Sequence, residues 1–180
     1  MRPSRVYVAG PDVFAENHAD LFDAVRATCE RLGLVALIPT DCELEVGRDS
    51  PPALVAQKIQ QANLAMLRSA DAVIANLVPF RGTEPDSGTV FEVGFAHAIG
   101  LPVIGYGVPA RPYSEQIESV FDCMRDQHGK LRERTSGTAV EDFGLPLNLM
   151  LACCVSMTPD VTAALEAVSA LGADARLKAF

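Results

Sequence analysis

Three observations predict an α/β fold of three layers, in which a doubly wound parallel sheet of about five strands carries helices on both faces. Short apolar runs at residues 6–9, 34–38, 72–77 and 103–106 are separated by longer stretches with helical recurrence of apolar side chains. The runs are apolar almost throughout instead of alternating, as expected of parallel strands covered on both sides. Glycine and proline punctuate the joints, at Gly10-Pro11, Gly33, Pro39 and Gly100-Leu101-Pro102. A β-α-β order of this kind implies right-handed crossovers. The length of 180 residues, 49% of them hydrophobic, suits one packed domain spanning residues 1–180.

Each element has a local reason. Val6-Tyr7-Val8-Ala9 forms the first strand and ends at Gly10, whose missing side chain lets a ligand approach the backbone. Residues 16–32 carry Leu21, Phe22, Val25 and Leu32 on one helical face, with Gly33 as the stop. The second strand, residues 34–38, leads into a polar loop at 41–49. Ser50 is the expected N-cap of a helix that opens with Pro51-Pro52 and runs to about Ser69, with Leu54, Ile59, Ala62, Leu64 and Met66 turned inward. Residues 72–77 make the third strand, a helix carrying Glu92 follows, and residues 103–106 make the fourth strand. Beyond it a helix is expected over 114–126, a mobile surface loop over 127–140, an unassigned segment over 143–155, and a last helix from Thr158-Pro159 to about Leu171.

Composition narrows the function classes. A formal charge of -8, from 23 acidic and 15 basic residues, argues against a nucleic-acid surface, which needs clustered cations to displace counterions. The five cysteines are odd in number and lack a C-x-x-C pair, so reduced thiols are expected. No apolar run approaches the length of a membrane span, and Met1-Arg2-Pro3-Ser4-Arg5 enters the first strand without the apolar segment of a signal peptide. A soluble, cytoplasmic protein is the expectation. The three histidines, His18, His97 and His128, form no set with metal spacing, and no GxxxxGK[ST] loop is present. No metal and no cofactor are expected.

The chemistry is concentrated after the third strand, in Asp86-Ser87-Gly88-Thr89-Val90-Phe91-Glu92-Val93-Gly94. Two carboxylates stand six residues apart beyond the end of a buried strand, where open α/β sheets bind ligands. Glu92 lies near a helix start, whose partial positive charge favours an ionised carboxylate, a competent nucleophile. Bland readings stand beside these. Thr89-x-x-Glu92 matches a capping box, in which Glu92 would only bond back to the Thr89 backbone. Asp86 in Pro85-Asp86-Ser87-Gly88 has ordinary turn chemistry.

Four blocks carry a resemblance to a known family: Val6-Tyr7-Val8-Ala9-Gly10-Pro11; Ile38-Pro39-Thr40-Asp41; the stretch from Asp71 through Phe80-Arg81-Gly82 to Gly94; and Phe143-Gly144-Leu145-Pro146-Leu147-Asn148-Leu149-Met150. Over nearly its whole length the chain resembles the nucleoside 2-deoxyribosyltransferases, which have a flavodoxin-like fold. The resemblance implies that Glu92 attacks C1′ of a 2′-deoxynucleoside and that a second base displaces it, as in a retaining glycosidase with a base in place of water. It implies that Asp86 holds the sugar 5′-hydroxyl, that Tyr7 orients Glu92, and that Asn148 reaches the same hydroxyl from a neighbouring subunit. The active site would then be shared within a homo-oligomer, a dimer or a trimer of dimers. Gly10, Phe14, Asn63 and Gly88 complete the expected substrate-binding set, with Phe14, Phe80 and Phe91 as apolar walls. The partners would be deoxynucleosides and free nucleobases, with neither nucleic acid nor membrane.

Asn63 departs from the many bacterial members that carry Asp there, because an amide binds a base edge but donates no acidic proton. In this the chain is similar to the purine-leaning, trypanosomatid-like branch. The family's C-terminal tyrosine has no counterpart in Leu177-Lys178-Ala179-Phe180. Two alternatives remain open: an N-glycosidase acting on 2′-deoxynucleoside 5′-monophosphates, and a nucleotide-binding module without turnover. The first would want cations or hydroxyls near Asn148, and Leu145-Pro146-Leu147-Asn148-Leu149-Met150 supplies neither.

Overall fold

The computed structural model describes residues 4–42 and 50–177, with side chains up to residue 171. Five parallel strands form the sheet: β1 (Ser4–Ala9), β2 (Leu34–Leu37), β3 (Ala72–Asn76), β4 (Val103–Tyr106) and the two-residue β7 (Ser156–Met157). Their order is β2-β1-β3-β4-β7, so the winding reverses between β1 and β3. This is the three-layer, flavodoxin-like arrangement expected from the alternation of strands and helices. The fifth strand lies just beyond the segment left unassigned by the sequence, because two residues present no pattern.

Helices cover both faces: α1 (His18–Arg31), α2 (Pro52–Ser69), α3 (Ser87–Ala98), the short α4 (Tyr113–Glu118) and α5 (Leu149–Ala152), and α6 (Val161–Leu177). Successive strand residues point to opposite faces, and that alternation builds two cores. Val6, Val8, Ile74, Ile104 and Tyr106 pack against Phe22, Val25 and Cys29 of α1 and Leu165 and Val168 of α6. Tyr7, Ala9, Val73, Ala75 and Leu77 pack against Leu67 of α2 and Val93 and Ala96 of α3. The first residue of chemical interest, Tyr7, is thereby committed to the α3 side.

Several expectations need correction. The helix expected over 114–126 stops at Glu118, where the backbone N–H groups of Val120 and Phe121 both donate to Ile117 O, and the exposed Val120 and Phe121 find no core to cover. Residues 123–133 instead form an antiparallel hairpin, β5 (Cys123–Arg125) with β6 (Leu131–Glu133), so the expected loop over 127–140 contains a strand. A single side chain organises its turn: Asp126 accepts from the His128 and Lys130 backbone N–H groups and from Arg132 Nε at 2.8 Å. Gly129, at φ 78°, takes the left-handed position there. Leu131 anchors the hairpin on Ile117 and Val140.

On α2 the N-cap is Pro51, one residue later than expected, without a side-chain capping bond from it. Leu54 and Ile59 are 42% and 43% exposed, not turned into the core. That helix starts beyond the carboxyl edge of the sheet and returns along it, so only its later residues, such as Leu67, meet the strands. The last helix begins at Val161 and continues past Leu171 to Leu177. The latter part of the 41–49 loop and the chain end after Leu177 lie outside the described residues.

Leu131 is 1% exposed beneath a hairpin that has no other large buried side chain. Leu131→Ala is expected to cost about 2–4 kcal/mol locally. Hydrogen exchange should then speed up in residues 123–133 while β1 and β3 keep their protection.

Candidate active site

At the carboxyl edge of β1, on the α2 and α3 side, lies a cavity of about 480 Å³. Its lining unites Gly10, Phe14, Asn63, Asp86, Gly88 and Glu92, residues that the sequence separates by more than eighty positions. Each arrives by a different element. Gly10 follows β1, Phe14 ends the 3-10 turn Pro11–Phe14, and Asn63 comes from α2. Asp86, Gly88 and Glu92 come from the start of α3.

Asp86 is the N-cap of α3: its Oδ2 accepts from Thr89 N at 2.9 Å and from Thr89 Oγ1 at 3.1 Å. The capping box suggested by Thr89-x-x-Glu92 is therefore absent, because the cap lies three residues earlier. Freed from capping, Glu92 accepts a hydrogen bond from Tyr7 Oη at 2.5 Å. Tyr7 is fully buried, so the donor is held in place by the sheet itself.

Glu92 is the sixth residue of α3, a full turn beyond the N-terminal partial charge, and its surroundings work against ionisation. Burial, opposed by the Tyr7 bond and reinforced by the Asp86 charge, pushes its carboxyl up to about 7. The ionisation that the helix terminus favours is thus opposed by desolvation of the carboxyl. Tyr7 itself is held far above the ordinary phenol range by burial and by the neighbouring Glu92, and stays a donor.

Gly10 has a steric requirement. A Cβ there would come within 2.5 Å of Asp12 Oδ2 and 2.8 Å of Asn76 Cβ. Those two side chains are paired behind the cavity wall, the Asn76 amide donating to both Asp12 oxygens at 3.1 and 3.0 Å. Asn63 Oδ1 is buried and, among the described residues, has no hydrogen-bond partner, a polar atom left for a ligand.

Not every expected residue gathers here. Asn148 caps α5, accepting from Leu151 N at 3.2 Å, and does not line this cavity. Phe80 stacks on Phe14 with ring centroids 5.6 Å apart, and the Arg81 guanidinium lies 4.8 Å from the Phe80 centroid and 5.8 Å from that of Phe14. Phe91 is 55% exposed and faces a smaller groove between α2 and α3 that also reaches Glu92. Sequence reasoning missed Thr40, Cys42 and Val13 as lining residues and gave Ile59 and Ala62 to the core. The i, i+3, i+4 spacing of Ile59, Ala62 and Asn63 marks one helix face and was the available signal. Among the described residues no group of three His, Cys, Asp or Glu side chains could hold a metal ion, and no helix is long and apolar enough to cross a membrane.

A doubly wound sheet with a half-buried, phenol-bonded glutamate at its switch point defines a carboxylate-centred small-molecule site. Residues 6–150 match the family model for nucleoside 2-deoxyribosyltransferase, and the chain belongs to that family. A 2-desoxiribosyltransferase from Leishmania mexicana is similar in structure, with 33% identity over 93% of this chain and 97% of that one at a TM-score of 0.72. A conserved protein from Enterococcus faecalis shares the fold at 17% identity, 91% and 96% coverage and a TM-score of 0.57. An uncharacterized protein of Schizosaccharomyces pombe, C191.05c, is 33% identical over 115 residues, which are 63% of this chain and 54% of that protein. The match thus spans about half the length of this curated relative.

The raised carboxyl of Glu92 has a consequence for stability. Because its folded value of about 7 exceeds the ordinary 4.5, its protonated form favours folding below pH 4.5, and that contribution is lost as pH rises through 7. Glu92→Gln, which still accepts from Tyr7, should raise the melting temperature at pH 8 by an amount equivalent to about 2–3 kcal/mol. The difference between the two proteins should vanish toward pH 4 in thermal unfolding followed by circular dichroism.

Proposed function

We propose that this protein transfers 2-deoxyribose between nucleobases through a covalent deoxyribosyl-Glu92 intermediate, with purines as the preferred bases. The observation that carries the reading is the Glu92 carboxylate, half-buried in the wall of a ligand-sized cavity and bonded by Tyr7, in a chain of the nucleoside 2-deoxyribosyltransferase family. In the first step a Glu92 oxygen attacks C1′, the C1′–N bond breaks, and the base leaves with the bonding pair and takes up a proton. In the second step a nitrogen of the incoming base attacks C1′ and gives up its proton, the C1′–O bond breaks so that Glu92 departs as carboxylate, and two inversions restore the β configuration. The oxocarbenium-like transition state is more accessible without an electron-withdrawing 2′-hydroxyl, which accounts for a deoxyribose preference. Asp86, with one oxygen engaged in capping, keeps the other for the 5′-hydroxyl. Asn63, an amide whose oxygen has no partner among the described residues, supports base binding without acid catalysis.

We further infer a homo-oligomer in which Asn148 serves the neighbouring subunit's site. In its own chain Asn148 stands apart from Glu92, and the apolar side chains around it, Phe143 and Met150, are 67% and 70% exposed. Mixing equal amounts of inactive Glu92→Ala and inactive Asn148→Ala chains, followed by subunit exchange, should restore about a quarter of the activity, because about that share of sites then holds both native residues. Mixed chains that remain inactive would exclude a shared site.

A second reading, hydrolysis of 2′-deoxynucleoside 5′-monophosphates, is favoured by Arg81, a cation stacked over Phe80 beside the cavity wall. Against it, none of the described lining residues of the cavity is Lys, Arg or His. Incubation with deoxyinosine, with and without adenine, separates the readings by chromatography. Deoxyadenosine formed only with adenine is expected; free deoxyribose at the same rate in both, or turnover of deoxyadenosine monophosphate alone, would reject transfer.

The reaction needs Glu92 ionised, so kcat/KM should rise with pH around a midpoint near 7. Tyr7→Phe removes the bond that favours the carboxylate and should move the midpoint to higher pH, while Asp86→Asn removes a repelling charge and should move it lower. Glu92→Ala should lose transfer by at least about 10³-fold.

A further inference from the structure

The alternation that turns Tyr7 toward α3 turns Val8, Asn76 and Tyr106 to the opposite face, where Asn76 and Tyr106 are register partners on β3 and β4. At the carboxyl edge of that face, between α1 and the start of α6, lies a second cavity of about 440 Å³. It shares no lining residue with the Glu92 cavity. We propose that it is a second binding site, for a phosphate-free nucleoside or nucleobase that brings N–H and O–H donors to Asp12, Asp160 and Tyr106.

The Tyr106 side chain carries the argument. Tyr106 is 8% exposed, yet among the described residues no group bonds its hydroxyl. The ring is buried while the hydroxyl reaches the open cavity, so its donor and acceptor positions are presented to a ligand there. Burial and the charge of Asp12 hold it above the ordinary phenol range, which keeps its proton in place.

The rest of the lining states what the ligand brings. Among the described residues Asp12 accepts only from the Asn76 amide, and Asp160 uses one oxygen to accept from Ala163 N at 2.9 Å, so both carboxylates keep free acceptor positions. None of the described lining residues is Lys, Arg or His, so the cavity repels a phosphate and attracts hydroxyl and amino groups. Phe22, Val25 and Leu165 supply an apolar wall suited to a flat ring. Its size falls in the range of small-molecule sites, about 300–1,000 Å³, and a flexible aliphatic amine would satisfy the carboxylates but leave that wall uncovered.

The test is equilibrium dialysis of the full chain with adenosine, alone and in competition with adenosine monophosphate or with an aliphatic diamine. Ala24 is exposed on α1 at the cavity mouth, so Ala24→Trp fills the opening without repacking the core. The expected result is a class of adenosine sites that Ala24→Trp abolishes and Tyr106→Phe weakens about tenfold. Ala62→Trp, which obstructs the Glu92 cavity, should leave that class intact. The site does not depend on the role given to Glu92: if transfer fails while this class persists, the function assigned to Glu92 falls and the second site stands. Adenosine binding that neither Ala24→Trp nor Tyr106→Phe alters, no adenosine binding, or equal competition by the monophosphate or the diamine would overturn the proposal.

Discussion

A carboxylate drawn out of water beside an apolar sheet is costly unless a donor meets it, and in this chain that donor is the Tyr7 hydroxyl. The bond joins the first strand to the third helix and fixes how far α3 stands from the sheet at its active end. The remaining features of the site fit around it. Tyr7 can reach Glu92 because strand alternation points it at α3. Glu92 is free to receive it because Asp86, and not Glu92, caps the helix. The cost of burial is left partly uncompensated, and the residue is stored as a carboxyl that titrates near neutrality. That is the behaviour expected of a group kept for chemistry more than for cohesion.

Asp86 and Glu92 illustrate two carboxylates of one helix doing different physical work. The first sits where backbone N–H groups need an acceptor and stabilises the helix it begins. The second sits a turn and a half further on, where nothing in the backbone needs it. Their mutual repulsion adds to the desolvation that raises the Glu92 carboxyl, so a substrate hydroxyl donating to Asp86 would ease ionisation of the neighbour.

The sheet, its order of elements and the main cavity were readable in the sequence because each rests on a repeated local signal. Four strands are continuous apolar runs, and the segment with Asp86 and Glu92 closely follows one of them. What was not readable depended on single atoms or on distance. The β5–β6 hairpin is organised by one aspartate side chain in a charged stretch without periodicity. The two-residue β7 has no pattern to detect. The capping ambiguity at Thr89 and Glu92 could be resolved only by seeing which carboxylate points at the backbone. Exposure of Ile59 required knowing that the first half of α2 overhangs the sheet, since its periodicity is the same whether the face meets core or cavity.

That overhang separates two demands that proteins usually impose on the same residues. The portion of α2 that holds the fold together lies near Leu67, whereas the portion that touches the ligand cavity, Ile59, Ala62 and Asn63, contributes little to the packed interior. Substitutions at the ligand-facing positions can therefore accumulate at small cost to folding. A lineage carrying this scaffold can change which small molecule the cavity admits through neutral intermediates, with Glu92 and Tyr7 unchanged throughout.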